Sequence, residues 1–427
     1  MNIPVNEPIS YDDHGDISLE VPFTDLQPTD ISIYLQLNTK VGKDTCRQTC
    51  AHCFFINQPE AKARSMDLAE GRKVMKNLQA LGYKVFPMIS DSFGHNGEFL
   101  RLYGNSHNRD YRQDADRQLT KTMKRGEAWT SGAPLLDTNW YDLLCCAVEN
   151  GFGSVTITFH GMLDNDLNVV SHEHYPIKGV FKAQHCETVM RRIGLFNADL
   201  QAGRIERMRF LSSEARQPIE INIGVTIGQH NHGRQNLLRY IHYFNKLPVS
   251  VVRFNRFHDH GWLHPHLPLN QDETAQFYRD IKWIHTNVPL RFQLGVDEDF
   301  GNNGIEVMGF PEHTGVCRAG HQLFAVVPDN TELISEDNNL RLERVGSVAG
   351  CVDAFKPIVG RLVRQTNTQT QQYSYYIEFF HDIINELKRK RLSGIYSDGC
   401  FANEMLGELH KNDTTGIATQ SRSLPVL

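Results

Sequence analysis

In the middle of the chain, segments with two different spacings of apolar residues alternate. Continuous β-branched runs, such as Ile31–Leu37 and Ser154–Gly161, are typical of strands that are buried on both faces. Apolar residues spaced three or four positions apart predict helices between these runs. The segment Met66–Tyr83 is a clear case, because Asp67 and Glu70 have the spacing of a capping box.

This alternation predicts parallel strands joined by helical crossovers, in an α/β fold. We expect an extended lead-in over residues 1–29, and a partial or full (β/α) TIM-type barrel over residues 30–310. A small C-terminal α+β extension is predicted for residues 311–427, with a turn at Pro328–Asn330 and a terminal amphipathic helix over Tyr373–Gly394. Chemistry in such barrels collects at the C-terminal ends of the strands.

Composition and charge narrow the function classes. The 427 residues carry a formal charge of −6, with a hydrophobic fraction of 40% and a charged fraction of 22%, as in ordinary globular proteins. This balance gives no electrostatic reason to expect nucleic-acid binding. No apolar run reaches the roughly 20 residues of a membrane span. The first residues lack a secretory pattern, so we expect a cytoplasmic protein.

The most informative feature is a cluster of cysteines just after the first predicted strand. Three of the nine cysteines lie there with gaps of three and two residues: Cys46, Cys50 and Cys53. An odd count without an export signal argues against a disulfide framework. Three thiolates can hold three irons of a four-iron cluster and leave the fourth iron open.

Two alternatives to a cluster remain for these cysteines. A structural zinc site needs four ligands, usually as two pairs, and the chain has no second pair. His52 would complete a zinc set locally, whereas Cys145 and Cys146 project about 100° apart on a helix and are poor joint ligands. The other alternative is that the three are ordinary core cysteines.

The text CRQTCAHC, directly after the first strand of a predicted parallel barrel, resembles the radical S-adenosylmethionine (radical SAM) superfamily over about residues 30–300. The resemblance implies that Cys46, Cys50 and Cys53 bind a 4Fe–4S cluster whose open iron is chelated by SAM. An electron from a flavodoxin- or ferredoxin-type donor then cleaves SAM to methionine and a 5′-deoxyadenosyl radical. That radical abstracts a hydrogen atom from the substrate.

The same resemblance implies further cofactor-binding positions. Ser90, Asp91 and Ser92 follow the second strand, where the family usually has Gly-Gly-Glu, so Asp91 is expected to accept from the SAM ammonium group. Thr158, at the end of the fourth strand, is expected to present its hydroxyl to SAM, and His160 to point into the same mouth. The alternatives are a turn role for Asp91 and plain β-propensity for Thr158.

Two later strands supply the remaining candidates. Gln229 and Asn231, after the fifth strand, are expected near the adenosyl group, with loop capping as the alternative. Arg253 on the sixth strand is expected to pair with the SAM carboxylate or with substrate. Alternation separates Arg253 and Asn255 from Arg256 across that strand.

The extension also resembles a known region, the SPASM or Twitch segment of peptide-modifying radical SAM enzymes. The matching residues are Cys317, Ala319, Gly320, Pro328 and Asp329, but the cysteine expected after the hairpin is missing. The segment is interpreted as a remnant without a cluster, or as an auxiliary Fe–S site. The candidate residues for that site are Cys317, Cys351 and Cys400. Each of them is alternatively a hydrogen-atom donor to the substrate or an ordinary buried small side chain.

The sequence therefore predicts a radical SAM enzyme. The expected substrate is a peptide, as in the maturation of ribosomally made natural products by crosslinking or epimerisation. A small metabolite, such as a sugar, nucleoside or amino-acid derivative, is the alternative substrate. A zinc-stabilised binding protein is the alternative outside the enzyme class.

Overall fold

In the computed structural model the described residues are 22–37, 46, 48–50, 53, 66–107, 126–170, 177–179, 185–209, 211, 216–259, 264, 266–296, 319–351 and 356–392. None of the helices in these ranges is long and apolar enough to cross a membrane.

Within the described residues, seven barrel strands and six helices alternate through the first three quarters of the chain. The strands are β1 (Ser32–Gln36), β2 (Lys84–Met88), β3 (Gly126–Thr130), β4 (Phe152–Phe159), β5 (Glu220–Ile227), β6 (Val251–Arg256) and β7 (Gln293–Val296). The helices between them are α1 (Leu68–Ala80), α2 (Glu98–His107), α3 (Trp140–Glu149), α4 (Cys186–Gln201), α5 (Arg234–Phe244) and α6 (Gln271–Asn287). Single 3₁₀ turns are Phe23–Asp25, Pro28–Asp30, His95–Gly97, Pro134–Leu136 and Glu206–Met208.

These strands form one curled, parallel half-barrel. β1 pairs with β2, and the run β3, β4, β5, β6, β7 is paired in that order, always in parallel. The two sheets meet where the Ser92 amide donates to the Trp129 carbonyl (3.0 Å) and the Trp129 indole donates to the Ile89 carbonyl (2.7 Å). The predicted α/β fold with a partial TIM-type barrel is thus confirmed.

Side-chain alternation separates the two faces of the half-barrel. On β6, Val252 and Phe254 are fully buried against the helices, and the Phe254 ring lies 6.0 Å from that of Phe277 on α6. Arg253 and Asn255 therefore face the concave, inner side. The predicted capping box at the start of α6 is present: the Asn270 side chain accepts from the Glu273 amide, and the Glu273 side chain accepts from the Asn270 amide.

The C-terminal region continues the barrel sheet. It consists of β8 (Leu323–Glu336), β9 (Leu340–Ala349), β10 (Ile358–Asn367), β11 (Tyr373–Phe379) and α7 (His381–Leu392). β8 pairs in parallel with β1, and β9 to β11 follow as an antiparallel meander. Two further ribbons are very short, Gln48–Cys50 with Ile177–Gly179 and Met162–Leu163 with Val169–Val170.

The predicted turn at Pro328–Asn330 is wrong. These residues lie inside β8, and the chain reverses at Asp337–Asn339 instead. Pro328 stands opposite Gly346 at the start of a register shift, which is the position where a strand tolerates a residue without an N–H. A β-carbon on Gly346 would lie 2.9 Å from the Val327 carbonyl, so glycine also permits the close approach of the two strands.

The predicted terminal helix is half wrong. Tyr373–Phe379 is a strand, and the helix begins only at His381. Alternation decides this segment, because Tyr375 and Ile377 are buried while Glu378 on the other face pairs with Arg361 across the strand at 2.9 Å.

Candidate functional site at the barrel mouth

The cysteine cluster lies at the C-terminal ends of the barrel strands. The Cys53 amide donates to the Cys50 carbonyl (3.1 Å), and the Cys46 amide donates to Ser90 Oγ (3.3 Å) at the end of β2. The Cys50 sulfur lies 3.5 Å from Nε2 of His160, which follows β4. The predicted orientation of His160 into this mouth is confirmed.

The three thiols influence one another electrostatically. Burial raises the pKa of the Cys50 thiol well above its usual range, and the nearby thiols of Cys53 and Cys46 raise it further. Burial also lowers the pKa of His160 to about 4, so its imidazole is neutral at pH 7. As the side chains stand, no three His, Cys, Asp or Glu residues within the described ranges converge on a single metal-ion position.

The donor set fits the cluster implied by the sequence. The three sulfurs belong to one loop, they are close enough to perturb each other's ionisation, and thiolates are the usual ligands of Fe–S clusters. A bound cluster would hold the thiols in their charged form, which reverses the rise in the Cys50 pKa. Because the imidazole beside Cys50 is neutral, it does not compete as a cation with the iron for the Cys50 thiolate.

Asp91 has a structural part at this mouth. Its Oδ1 accepts from the Phe93 amide (3.0 Å), and its Oδ2 accepts from Thr130 Oγ1 (2.9 Å), the Ser131 amide (2.9 Å) and Ser131 Oγ (2.8 Å). Burial raises its pKa to about 6 although these bonds lower it. The buried carboxylate thus ties the end of β2 to the end of β3. Beside it, Ser92 Oγ accepts from the Trp129 amide (3.2 Å).

Thr158 and Arg253 lie on the inner wall, on the two strands that flank β5. Both stand in register with Gly224 of β5, and Arg253 also stands in register with Gly295 of β7. Of the described residues, Thr156 alone would meet a β-carbon on Gly224, at 3.9 Å. The described part of the wall therefore leaves space beside Arg253, as expected where a ligand approaches a strand.

Gln229 and Asn231 take part in closing their own loop. Asn231 Oδ1 accepts from the Gly228 amide (2.9 Å), and its Nδ2 donates to the Thr226 carbonyl (2.9 Å). Gln229 donates from its side chain to Glu273 at the start of α6. The loop that these contacts fix lies at the C-terminal end of β5, on the same rim as the cysteine cluster.

The cysteines of the extension are not brought to this rim as far as the structure describes them. Cys351 is buried and follows β9, whose end pairs with the start of β8 through Ala349 and Ala325. The start of β8 lies beside the start of β1, where Leu323 is in register with Ser32, at the N-terminal side of the barrel. Cys317 and Cys400 fall outside the described residues.

Four inner-wall residues were missed from the sequence. Asn222 Nδ2 donates to Glu127 Oε1 (3.1 Å), and the Thr156 hydroxyl donates to the same oxygen. On β1, neither amide atom of the fully buried Gln36 has a hydrogen-bond partner among the described residues. The available signal was a polar residue at alternate positions of otherwise apolar strands.

The chain was compared with known proteins. No protein-family model matches it, and no curated protein matches it. Among solved structures, Streptococcus suis SuiB bound to S-adenosylmethionine matches with 10% identity and a TM-score of 0.46, over 86% of this chain and 67% of that one. SuiB bound to precursor peptide SuiA matches with 10% identity and a TM-score of 0.43, over 69% of this chain and 57% of that one. The radical S-adenosylmethionine methyltransferase TsrM from Kitasatospora setae matches with 17% identity and a TM-score of 0.30, over 53% of this chain and 36% of that one.

Proposed function

We propose that this protein is a radical SAM enzyme. The observation that carries the proposal is the position of three mutually interacting thiols, from one loop, over the C-terminal mouth of a parallel half-barrel. When bound, a reduced 4Fe–4S cluster and SAM supply a 5′-deoxyadenosyl radical that removes a hydrogen atom from substrate. The protein's own task is to hold the thiols, orient the ligands and keep water away.

In this proposal Cys46, Cys50 and Cys53 hold the cluster. Ser90 positions the loop through the Cys46 amide, and His160 packs against the Cys50 sulfur from the opposite side. Both partners lie at strand ends of the rigid barrel, which limits the freedom of the loop.

SAM is proposed to lie along the inner rim. Thr158 and Arg253 present a hydroxyl and a guanidinium there, beside the space left at Gly224. The segments Ser90–Ser92 and Gln229–Asn231 shape the rim, and within them Asp91 acts by fixing the strand ends because both of its oxygens are already bonded. An external flavodoxin- or ferredoxin-type protein is proposed as the electron donor.

The proposed substrate is a peptide. The support is the Gln229–Asn231 segment and the text around Cys317, which resemble peptide-modifying members of the superfamily. A small metabolite is the alternative. We propose that the extension is a remnant of a SPASM or Twitch region, without an auxiliary cluster, in keeping with the burial of Cys351 at the end of the barrel away from the mouth.

The test is to purify the protein without oxygen and to count its metals. We expect about four irons and four sulfides per chain, and 5′-deoxyadenosine after reduction with dithionite in the presence of SAM. Cys50→Ala is expected to lose the iron. Cys145→Ala, a buried cysteine on α3, is the matched control and should keep it.

Colourless protein with one zinc per chain would overturn the proposal in favour of a zinc-stabilised protein. A cluster that yields no 5′-deoxyadenosine, with peptides or with metabolites, would overturn the enzymatic part. Peptide and metabolite substrates are separated by which of them increases 5′-deoxyadenosine formation and changes in mass.

A further inference from the structure

A polar cluster lies on the inner wall below the mouth, formed by Glu127, Thr156 and Asn222. The three residues belong to the adjacent strands β3, β4 and β5, and their neighbours along each strand, such as Val155 and Ile221, are buried in the core beneath the helices. Alternation therefore turns the cluster toward the concave side. Two donors, the Thr156 hydroxyl and the Asn222 amide, converge on one oxygen of Glu127.

This arrangement fixes the orientation of the Asn222 side chain. Because Nδ2 donates to Glu127, the carbonyl oxygen Oδ1 must point the other way and act as an acceptor. Asn222 is 9% exposed, and its Oδ1 is buried without a hydrogen-bond partner. Within the described residues, no group donates to Oε2 of Glu127 either. The buried Oδ1 of Asn222 is costly without a donor, whereas Glu127 is only partly buried and its Oε2 is a second acceptor on the inner wall.

The two acceptors specify the chemistry of a donor from outside the chain. Both belong to side chains on the concave side, on strands β3 and β5, and one of them belongs to a carboxylate, so the best partner has several N–H groups and a positive charge. An alkylammonium group has three such donors, and a guanidinium group has five. A single hydroxyl would satisfy only one of the two acceptors.

Within the described residues, polar positions and a glycine lie between the mouth and this cluster. Gly224 lies two residues above Asn222 on the same strand and leaves space where other residues would carry a side chain. Further toward the rim, the buried side-chain oxygen of Asn255 has no hydrogen-bond partner among the described residues, and neither amide atom of Gln36 on the far wall has one there. A ligand chain that enters from the cysteine cluster would meet acceptors on its way down.

We propose that Glu127 and Asn222 bind a cationic nitrogen group of the substrate, an alkylammonium or a guanidinium group, with the rest of the substrate extending up to the mouth. The inference rests on the proposed function, because that function makes the concave side the substrate chamber. The inference adds the chemical class of the substrate to the proposed function. The substrate carries a protonated amine or guanidine, as a peptide side chain, a peptide N-terminus or a metabolite group.

The test uses small probes and needs neither cluster nor SAM. n-Butylammonium, n-butylguanidinium and the neutral control 1-pentanol are titrated into the intact protein, and binding is followed by ligand-observed NMR. We expect a dissociation constant on the order of millimolar for the better cation, in line with its few atoms. Glu127→Gln should weaken that binding at least about tenfold, and Asn222→Leu by several fold, because a desolvated ionic contact is lost or loses one acceptor.

Glu206→Gln is the matched control, since the Glu206 side chain is 85% exposed on the outer surface and its substitution should leave binding unchanged. The thermal midpoint of each variant shows that it is folded. Equal binding of 1-pentanol and the cations, or equal binding by Glu127→Gln and the unaltered protein, would overturn the inference. Comparing the two cations identifies the ammonium or the guanidinium as the group recognised.

The outcome is separable from that of the proposed function. Cys50→Ala should abolish 5′-deoxyadenosine formation but leave probe binding intact, because Cys50 is not part of the Glu127 cluster. SAM cleavage without cation binding would refute this inference alone. Cation binding by a protein that never holds iron would refute the radical SAM proposal and leave a cation-binding barrel.

Discussion

Replacing Asp91 by asparagine gives a quantitative test of the network at the barrel mouth. Burial raises the pKa of Asp91 from 3.8 to about 6, so the folded protein binds its proton more tightly than the unfolded chain does. Such a group contributes stability that is fully present below the unfolded pKa and is lost as pH rises through the folded pKa. A rise of this size corresponds to about 3 kcal/mol across the whole window.

The practical window is narrower than the full titration. Between about pH 7.5 and about pH 5, linkage gives a stabilisation on the order of 1.4 kcal/mol from Asp91 alone. Asp91→Asn has no proton to bind and lacks this contribution. The free energy of unfolding of the unaltered protein, minus that of Asp91→Asn, is therefore expected to increase by that amount as pH falls. The introduced asparagine would also face donors with its NH₂ group, which lowers stability by about 1–3 kcal/mol at all pH values.

The assay is anaerobic urea denaturation of both proteins at several pH values, with linear extrapolation to zero denaturant. Taking the difference removes the titration of all other groups. Asp166→Asn, on an exposed loop away from the Asp91 network, is measured in the same way as the control for replacing an aspartate by asparagine. A difference for Asp91→Asn that is flat, or that shrinks as pH falls, would refute the assignment of a raised pKa to this carboxyl.

Four further substitutions, one of them a control, test the packing of the fold. Asn231→Ala should cost about 1–3 kcal/mol in urea unfolding, because it leaves the buried Gly228 amide without its acceptor; an unchanged midpoint would show that the loop is held otherwise. Phe254→Ala, at a fully buried position, should cost about 3–5 kcal/mol, while Trp283→Ala, at a residue that is 40% exposed, should cost far less; equal losses would contradict the assigned burial. Glu343→Gln should lower the free energy of unfolding by about 1–2 kcal/mol, because its 5% exposed carboxylate accepts from arginines on two sides; a loss that persists unchanged in high salt would point to packing instead of charge.

The barrel was predictable because its signals are local and repeated. Buried β-branched runs and capped helices such as α6 each specify their own element, and the cysteine spacing predicts the chemistry that is proposed for the first loop. The order of strands follows once every connection is a helix, since parallel strands need such crossovers.

The errors came from residues whose meaning depends on distant partners. Pro328 has strong turn propensity, but its place opposite Gly346 in a register shift lets β8 continue. The aromatic run at Tyr373 fits a helix as well as a strand until the Tyr375 amide meets the side-chain oxygen of Asn77 on α1, at 2.8 Å. Tertiary contacts override local preference in both places.

The inner-wall cluster was hidden for a related reason. Glu127 and Asn222 are far apart in the sequence, and neither belongs to a motif. Only the stagger of three neighbouring strands brings them together. Asp91, by contrast, was found by its position after β2, yet its neighbours Thr130 and Ser131 come from the next strand and give it a structural part.

The parallel pairing of β1 with β8 also sets the order in which the molecule can be assembled. Ser32 pairs with Leu323, so one neighbour of β1 emerges from the ribosome only after nearly the whole barrel. Closing so long a loop costs chain entropy, which places this pairing late in folding. Until then β1 has an open edge with the apolar residues Ile33 and Leu35, a typical site for intermolecular strand pairing. A shortened chain that ends before β8 is therefore expected to aggregate during expression, even though every residue of the cysteine loop is present.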